Sequence, residues 1–321
     1  MPIPRTPQPD ALVIGAPKAG TSALHAALAQ HPSVFSSRPK EPKYYLCADA
    51  PPPAYSGPGD AHSQQEWIWR SEDYQRLFEP AREDQLRIES TPFYLYLRNA
   101  RRRIAEELPD AKLIAVIRDP VDRAYSNWMH LWSDGLEPVS DFPTAFRLER
   151  QRIAQGWAPF WHYRRLGFYG HQLEDLYKHA DGDRILVIRY RELVTEPAAL
   201  LDRVCTFLGL ETGVVQTIPR ENSRPYVAPG PTTSALSKVL RAGASAGAFF
   251  PPQVWRRASR PLTGLMQSRG AAARPSLDAA TRASLVDEFA ADLDRLERVT
   301  GQSFTDWRDD SSAGSFAARV T

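Results

Sequence analysis

Residues 11–22 read ALVIGAPKAGTS, an apolar run followed by a short glycine-bounded loop and a helix-forming segment. The apolar run at 11–15 has the length of a buried β-strand, and the residues at 21–30 are predicted to form the helix that follows it. A loop between a strand and a helix points several backbone N–H groups, and the positive end of the helix dipole, at one place. The stretch therefore predicts an α/β fold with an anion-binding loop after its first strand.

The loop also carries the side chains that a phosphate or sulfate requires. Lys18 supplies a full positive charge, and Thr21 and Ser22 supply hydroxyl donors. A Walker A loop has similar glycine spacing but places its lysine directly after the second glycine, where this chain has Thr21. That displacement argues against ordinary NTP hydrolysis. The predicted anion-binding residues are Pro17, Lys18, Ala19, Gly20, Thr21 and Ser22.

A second strand-to-helix junction follows the apolar run at 112–117, where Arg118-Asp119-Pro120 precedes a predicted helix from about 121 to 132. Arg118 leaves the C-terminal end of a predicted strand, where ligands of open α/β sheets bind. A guanidinium group binds phosphate through two parallel hydrogen bonds, and Ser126 on the helix has a hydroxyl for the same anion. We therefore predict that Arg118 and Ser126 form a second anion site.

Segments typical of strands and helices alternate along the chain, which predicts a P-loop-like three-layer α/β fold with a central parallel sheet flanked by helices. Gly209 is the predicted C-cap of one helix. Further strands are predicted at 86–89 and 184–189, and further helices at 97–108, 172–179, 198–208 and about 278–299.

The composition is that of an ordinary globular protein, with 42% hydrophobic and 24% charged residues among 321. We expect one domain over 1–321, with its core at about 11–225. A net charge of +2 does not suggest a nucleic-acid partner. Without a signal-peptide pattern or the ~20 apolar residues that span a bilayer, we expect a cytoplasmic protein. Cys47 and Cys205 lack metal-ligand spacing. One disulfide between them is conceivable, but we expect two buried free thiols in a reducing cytosol.

Two segments interrupt the alternation. Residues 48–60 are rich in proline, glycine and small residues, and we expect a mobile loop there. Residues 222–277 contain no acidic residue and many arginines. Such a basic segment suits closure over donor phosphates, attraction of an anionic acceptor or membrane surface, or simple solvation.

The two motifs, in this order, resemble those of the sulfotransferases that use 3′-phosphoadenosine 5′-phosphosulfate (PAPS), especially the heparan sulfate N- and O-sulfotransferases and their bacterial relatives. The resemblance covers roughly residues 11–225. It implies that residues 17–22 bind the 5′-phosphosulfate, with Lys18 stabilising the departing oxygen, and that Arg118 and Ser126 bind the 3′-phosphate. It also implies in-line transfer of a sulfuryl group to a hydroxyl or amine of a small-molecule or glycan acceptor, without a metal. The desulfated donor, PAP, is the second product.

The same resemblance points to a general base. In that branch a glutamate follows the first helix and second strand, and here the matching segment, 40–45, reads KEPKYY. Glu41 is therefore the predicted base, and Glu89 is the alternative. Ser90 replaces a lysine that several relatives carry. Lys43 stands where the sugar 3-O-sulfotransferases often have histidine, so their acceptor chemistry does not carry over.

Other interpretations of the sequence stay open. A P-loop kinase or NTPase using Mg-ATP is the main alternative, with Asp119 in the place of a Walker B carboxylate, and a nucleotide-binding protein without turnover is another. His130 and His171 are expected to be structural or surface residues. The aromatic clusters at 67–69 and 157–163 suit either an acceptor site or the core.

Overall fold

A computed structural model describes residues 7–58, 67–219, 226–228, 230–247, 252–272 and 275–308. Five parallel strands form its central sheet, in the order β2-β3-β1-β4-β5. The strands are β1 (Ala11–Gly15), β2 (Val34–Ser36), β3 (Leu86–Glu89), β4 (Lys112–Ile117) and β5 (Ile185–Arg189).

Strands β1 and β4 lie side by side in the middle of the sheet and are buried almost throughout. Since successive side chains of a strand point to opposite faces, such continuous burial means that both faces are covered. The predicted three-layer α/β fold with a central parallel sheet flanked by helices is confirmed.

The helices that follow these strands begin near the same edge of the sheet, since parallel strands all end there. Gly209 adopts the left-handed conformation expected of a C-cap, with φ 73°. The helices are α1 (Thr21–Leu28), α2 (Ser71–Arg76), α3 (Arg98–Glu107), α4 (Pro120–Ser133), α5 (Phe142–Arg147), α6 (Glu149–Ala154), α7 (Tyr169–Leu176), α8 (Tyr190–Thr195), α9 (Pro197–Leu208), α10 (Pro231–Gly247), α11 (Pro252–Gly270), α12 (Ala279–Asp287) and α13 (Ala290–Thr300).

The helix predicted at 278–299 is in fact two helices, α12 and α13, separated at Glu288 and Phe289. Phe289 is fully buried, and its ring contacts those of Phe146 and Phe168 at centroid distances of 6.2 and 5.5 Å. The break thus places the Phe289 ring in the core and lets α13 pack against α7. Helical spacing of apolar residues persists across such a break, which is why the sequence did not reveal it.

Helix α13 also caps helix α7. The Asp292 carboxylate accepts hydrogen bonds from the backbone N–H groups of Gly170 and His171, at 2.8 and 2.9 Å. A carboxylate at this end satisfies N–H groups that have no partner within the helix and complements the helix dipole. The C-terminal helices are therefore tied to the fold by a specific polar contact as well as by apolar packing.

The basic segment forms two helices, α10 and α11, which pack beside the C-terminal end of α4. Trp132 Nε1 donates to the Val227 carbonyl at 2.7 Å, and Arg241 donates to the Gly135 carbonyl at 3.3 Å. Short strands β6 (Tyr226–Val227) and β7 (Ala271–Ala272) pair antiparallel. Residues 220–225, 229, 248–251 and 273–274 of this region lie outside the described residues.

Three smaller expectations can be compared with the structure. Residues 51–58 adopt no helix or strand, and the end of the predicted loop, 59–60, lies outside the described residues. Cys47 and Cys205 are buried free thiols, as predicted. Across the described ranges, no helix combines the length and apolar character that crossing a membrane requires.

Replacing Gly170 with alanine is expected to destabilise the protein, because the new Cβ would lie 2.3 Å from the Asp292 carbonyl oxygen, between the backbones of α7 and α13. Overpacking of this kind costs about 1–3 kcal/mol, sometimes more. Urea denaturation measures the change. Gly264→Ala is the matched control, since nothing lies within 4 Å of its Cβ position. Equal stability of the Gly170→Ala protein and the wild type would contradict the close helix contact.

Candidate active site

The loop between β1 and α1 is shaped by a close approach and by left-handed backbone. A Cβ on Gly15 would lie 2.6 Å from Leu95 Cβ, so no larger residue fits there. Lys18 and Gly20 have φ values of 67° and 92°. These turns bring Gly20 to the N-cap of α1, where it has no side chain to occupy the first N–H groups of the helix. The loop thus presents a helix N-terminus suited to an anion.

The two predicted anion sites lie next to each other. The loop is joined to β4 by a 2.5 Å hydrogen bond from Ala16 N–H to the Val116 carbonyl. Arg118, just beyond β4, donates from Nη1 to the Lys18 carbonyl at 3.5 Å. Its guanidinium lies over the Tyr190 ring, 4.6 Å from the centroid, in a cation–π contact that fixes its plane. The adjacency of β1 and β4 therefore brings both cations to one edge of the sheet.

Glu41 is linked to the loop by Lys40, which contacts both. Lys40 Nζ donates to Ser22 Oγ at 2.8 Å and pairs with Glu41 Oε1 at 2.9 Å. The Glu41 side chain is 32% exposed, so a small molecule has access to it. The Lys40 carbonyl also accepts from Ser90 N–H at 3.0 Å, which fixes this segment against the end of β3.

The other candidate carboxylate, Glu89, is fully buried. It accepts hydrogen bonds from the hydroxyls of Tyr74, Thr91 and Tyr94 at 3.0, 2.8 and 2.7 Å. Burial raises the pKa of the Glu89 carboxyl to about 7, and nearby Glu41 adds to the rise, although the three hydroxyls oppose it. With both oxygens occupied, Glu89 is part of a buried polar cluster and has no face open to an acceptor.

Ser90 also takes part in packing. Its hydroxyl lies 2.8 Å from His25 Nδ1, and both residues are buried. Burial, assisted by the charge of Lys40, lowers the pKa of the His25 imidazole to about 4. His25 is therefore neutral at physiological pH and supplies no positive charge beside Ser90.

Asp119, the Walker B candidate, is engaged at both oxygens. Oδ1 accepts from the N–H groups of Val121 and Asp122, both at 2.9 Å, and so caps α4. Oδ2 accepts from Arg282 Nη2 at 2.5 Å, which ties α4 to α12. The residue holds the start of a helix rather than facing the loop as a free carboxylate. In the described part of the chain, no group of three or more His, Cys, Asp or Glu side chains could hold a metal ion.

The remaining predicted residues lie around the loop and on α4. Pro17, Ala19 and Thr21 are buried, whereas Lys18, Gly20 and Ser22 are partly exposed. Ser126 is partly exposed on α4, and within the described residues its hydroxyl has no hydrogen-bond partner. The structure thus joins the loop to Arg118 at the Lys18 carbonyl and, through Lys40, joins Ser22 to Glu41. Ser126 lies two turns into the helix that starts beside Arg118.

His130 is a residue of this site that the sequence interpretation did not include. Its Nδ1 lies 3.3 Å from Lys18 Nζ, although it was expected to be structural or on the surface. A signal was present in the sequence, because His130 follows Ser126 by four residues on one predicted helix and so shares its face. Only the packing of α4 against the loop shows that this face meets Lys18.

The aromatic cluster at 157–163 divides between core and site. Trp161 and Tyr163 are buried, whereas Trp157 and Phe160 are partly exposed. Phe160 packs edge-on against His130, with ring centroids 5.6 Å apart. The interpretation as core therefore holds for part of the cluster, and Phe160 lies beside the candidate site.

A model described as "Sulfotransferase family" matches residues 9–213 of this chain. The chain belongs to the sulfotransferase family. The predicted family is thus confirmed, and the two motifs on which the prediction was based lie within the matched residues.

Curated relatives and solved structures agree with this membership. The chain is 32% identical over 204 residues to the mouse heparan sulfate glucosamine 3-O-sulfotransferase 3A1, covering 63% of this chain and 46% of the relative. It is 31% identical over 210 residues to mouse bifunctional heparan sulfate N-deacetylase/N-sulfotransferase 4, covering 63% and 22%. Thus the chain spans about half the length, or less, of these curated relatives. A sulfotransferase from Alicyclobacillus acidocaldarius has a similar structure, with a TM-score of 0.72 and 27% identity, covering 94% of this chain and 99% of that one.

Replacing Glu89 with glutamine is expected to flatten the pH dependence of stability. Because its pKa rises from 4.5 to about 7 on folding, the folded protein holds a proton between these values that the unfolded chain has lost. This group therefore makes the free energy of unfolding fall as pH rises from about 4.5 to 7, and glutamine removes that contribution. Urea denaturation at several pH values measures it, with exposed Glu83→Gln as control. Identical pH slopes for wild type and Glu89→Gln would contradict the raised pKa.

Proposed function

We propose that this chain transfers a sulfuryl group from PAPS to a hydroxyl or amine of a small-molecule or glycan acceptor, releasing PAP. The observation that carries the proposal is the contact between Arg118 and the Lys18 carbonyl, which joins two anion sites at one edge of the sheet. A nucleotide phosphorylated at both the 3′ and 5′ positions needs two such sites, whereas the phosphates of ATP form one continuous chain.

The donor is proposed to bind across both sites. Backbone N–H groups of 17–22, the N-terminus of α1 and the Lys18 ammonium suit the 5′-phosphosulfate. Arg118 and Ser126 suit the 3′-phosphate, through a bidentate guanidinium contact and a hydroxyl. The ring of Tyr190 beneath Arg118 supports this assignment, because it holds the guanidinium in one plane before the phosphate arrives.

In the proposed reaction a lone pair of the acceptor oxygen or nitrogen attacks sulfur in line with the bond to the 5′-phosphate oxygen. That bond breaks, and its electron pair stays on the phosphate of PAP. Glu41 takes the proton that the acceptor loses. Lys18 stabilises the charge that develops on the leaving oxygen, an electrostatic contribution that is often worth several kcal/mol, on the order of 3–4.

The exposure of the two carboxylates supports Glu41 as the base. Glu41 is 32% exposed and joined to the loop through Lys40, whereas Glu89 is buried among three hydroxyls. A base must come within hydrogen-bond reach of the acceptor proton, which a buried and fully engaged carboxylate cannot do.

The alternative of a Mg-ATP-dependent kinase or NTPase receives less support. Both oxygens of Asp119 are used in capping α4 and in pairing with Arg282, so the residue in the Walker B position is committed to the fold. The displaced lysine of the loop and the family membership weigh in the same direction.

We further propose that the helices after residue 225 belong to the same domain and that the enzyme works in the cytoplasm. Contacts of α11 and α12 with α4, and of α13 with α7, support the first statement. The free thiols of Cys47 and Cys205 fit a reducing compartment.

Donor recognition is tested by calorimetry. We expect PAP to bind without Mg²⁺ and more tightly than Mg-ATP. Arg118→Gln is expected to weaken PAP binding by roughly tenfold or more, since a hydrogen bond to a charged group contributes about 1.5–3 kcal/mol. Adenosine 5′-phosphosulfate, which lacks the 3′-phosphate, should bind wild type and variant alike. Exposed Arg102→Gln on α3 is the control. Tighter binding of Mg-ATP, or equal weakening of PAP and adenosine 5′-phosphosulfate binding in Arg118→Gln, would contradict the assignment.

Turnover is tested with radiolabelled PAPS and a panel of hydroxylated and amino acceptors. Glu41→Gln is expected to lower kcat about 10²-fold or more, because general-base catalysis typically contributes that much. PAP affinity should stay close to that of the wild type. Glu83→Gln, exposed before β3 at the opposite end of the sheet, is the matched control. Full activity of Glu41→Gln would remove Glu41 from the mechanism, and no labelled product from the wild type would refute the function.

A further inference from the structure

We infer that His130, oriented by Asp134, is a positioning residue for Lys18. The inference rests on the proposed function, in which Lys18 faces the leaving 5′-phosphate oxygen. The observation that carries it is the 3.3 Å separation of His130 Nδ1 and Lys18 Nζ, between α4 and the loop. Neither of the two sequence motifs includes His130.

The chemistry of the two groups fixes their roles. A lysine ammonium carries three donors and no acceptor, so His130 must accept through an unprotonated Nδ1. The proton of the neutral imidazole is then on Nε2, which lies 3.6 Å from Asp134 Oδ2. The negative charge of Asp134 favours that tautomer, since it attracts the N–H dipole at Nε2. Asp134 thus orients the imidazole, and the imidazole orients the ammonium.

The surroundings hold the imidazole in place. His130 is in the last turn of α4, one turn beyond Ser126 and on the same face. The ring of Phe160 packs edge-on against it at 5.6 Å, and the His130 side chain is 21% exposed. A side chain fixed by a helix, an aromatic ring and a carboxylate is a defined support for a flexible lysine.

A neutral partner suits the task of Lys18 better than a carboxylate would. Lys40, close by, is paired with Glu41, and such an ion pair reduces the net charge offered to an incoming anion. The neutral imidazole of His130 restrains the Lys18 ammonium without reducing its net positive charge. A lysine side chain has about 2 kcal/mol of rotamer entropy, so holding it near its working position lowers the cost of ordering it during the reaction.

The test uses cleavage of labelled PAPS with water as acceptor, which requires no knowledge of the natural acceptor. We expect His130→Phe to lower kcat for sulfate release by about 10- to 100-fold, since misplacing a catalytic group by about 1 Å costs up to 10²-fold. KM for PAPS and the affinity for PAP should change little, because Arg118 and the loop amides are intact. His130→Gln is expected to recover most of the rate, since its amide oxygen accepts from Lys18.

Controls separate positioning from folding. His171→Phe, at an exposed histidine on α7, should match the wild type in rate and thermal stability. Wild-type kcat in His130→Phe would overturn the inference, as would equal loss in His130→Gln and His130→Phe. A fall in PAP affinity and melting temperature parallel to kcat would also overturn it, since that pattern marks a structural role. A wild type that neither binds PAP nor releases sulfate overturns the proposed function, and the inference with it.

Discussion

The site depends on the parallel pairing of β1 and β4 in the middle of the sheet. Because the two strands run side by side and end at the same edge, the loop that carries Lys18 meets the arginine that follows β4. Two contacts join the loop to the end of β4. Ala16 N–H donates to the Val116 carbonyl, and Arg118 donates to the Lys18 carbonyl. Burial of both strands on both faces holds them side by side, so hydrophobic packing keeps Lys18 and Arg118 at the same edge of the sheet.

Three carboxylates around this edge have different roles because their surroundings differ. Asp119 is committed to a helix cap and an ion pair, and Glu89 to a buried cluster of hydroxyls that raises its pKa to about 7. Glu41 alone among the three is partly exposed and linked to the loop. The residue type of a carboxylate near the candidate nucleotide site thus does not give its function until its burial and its partners are known.

The sequence predicted the fold class, the longer helices up to α9, and every strand of the central sheet except β2. Each of these helices and strands has a clear apolar period or a cap. The sequence did not predict the four six-residue helices α2, α5, α6 and α8, which are too short to show a period, or the break at Phe289. The loop and Arg118 are predicted from local chemistry. His130 and the roles of Glu89 and Asp119 are not, because they depend on contacts between residues far apart in the chain.

We propose that the Lys18 loop and Arg118 bind opposite ends of one nucleotide. A crystal structure of the chain with PAP would show whether they do. We expect the 5′-phosphate to lie against the loop amides and Lys18, and the 3′-phosphate to lie within hydrogen-bond distance of Arg118 and Ser126. PAP bound elsewhere, or with its 3′-phosphate turned away from Arg118, would contradict it.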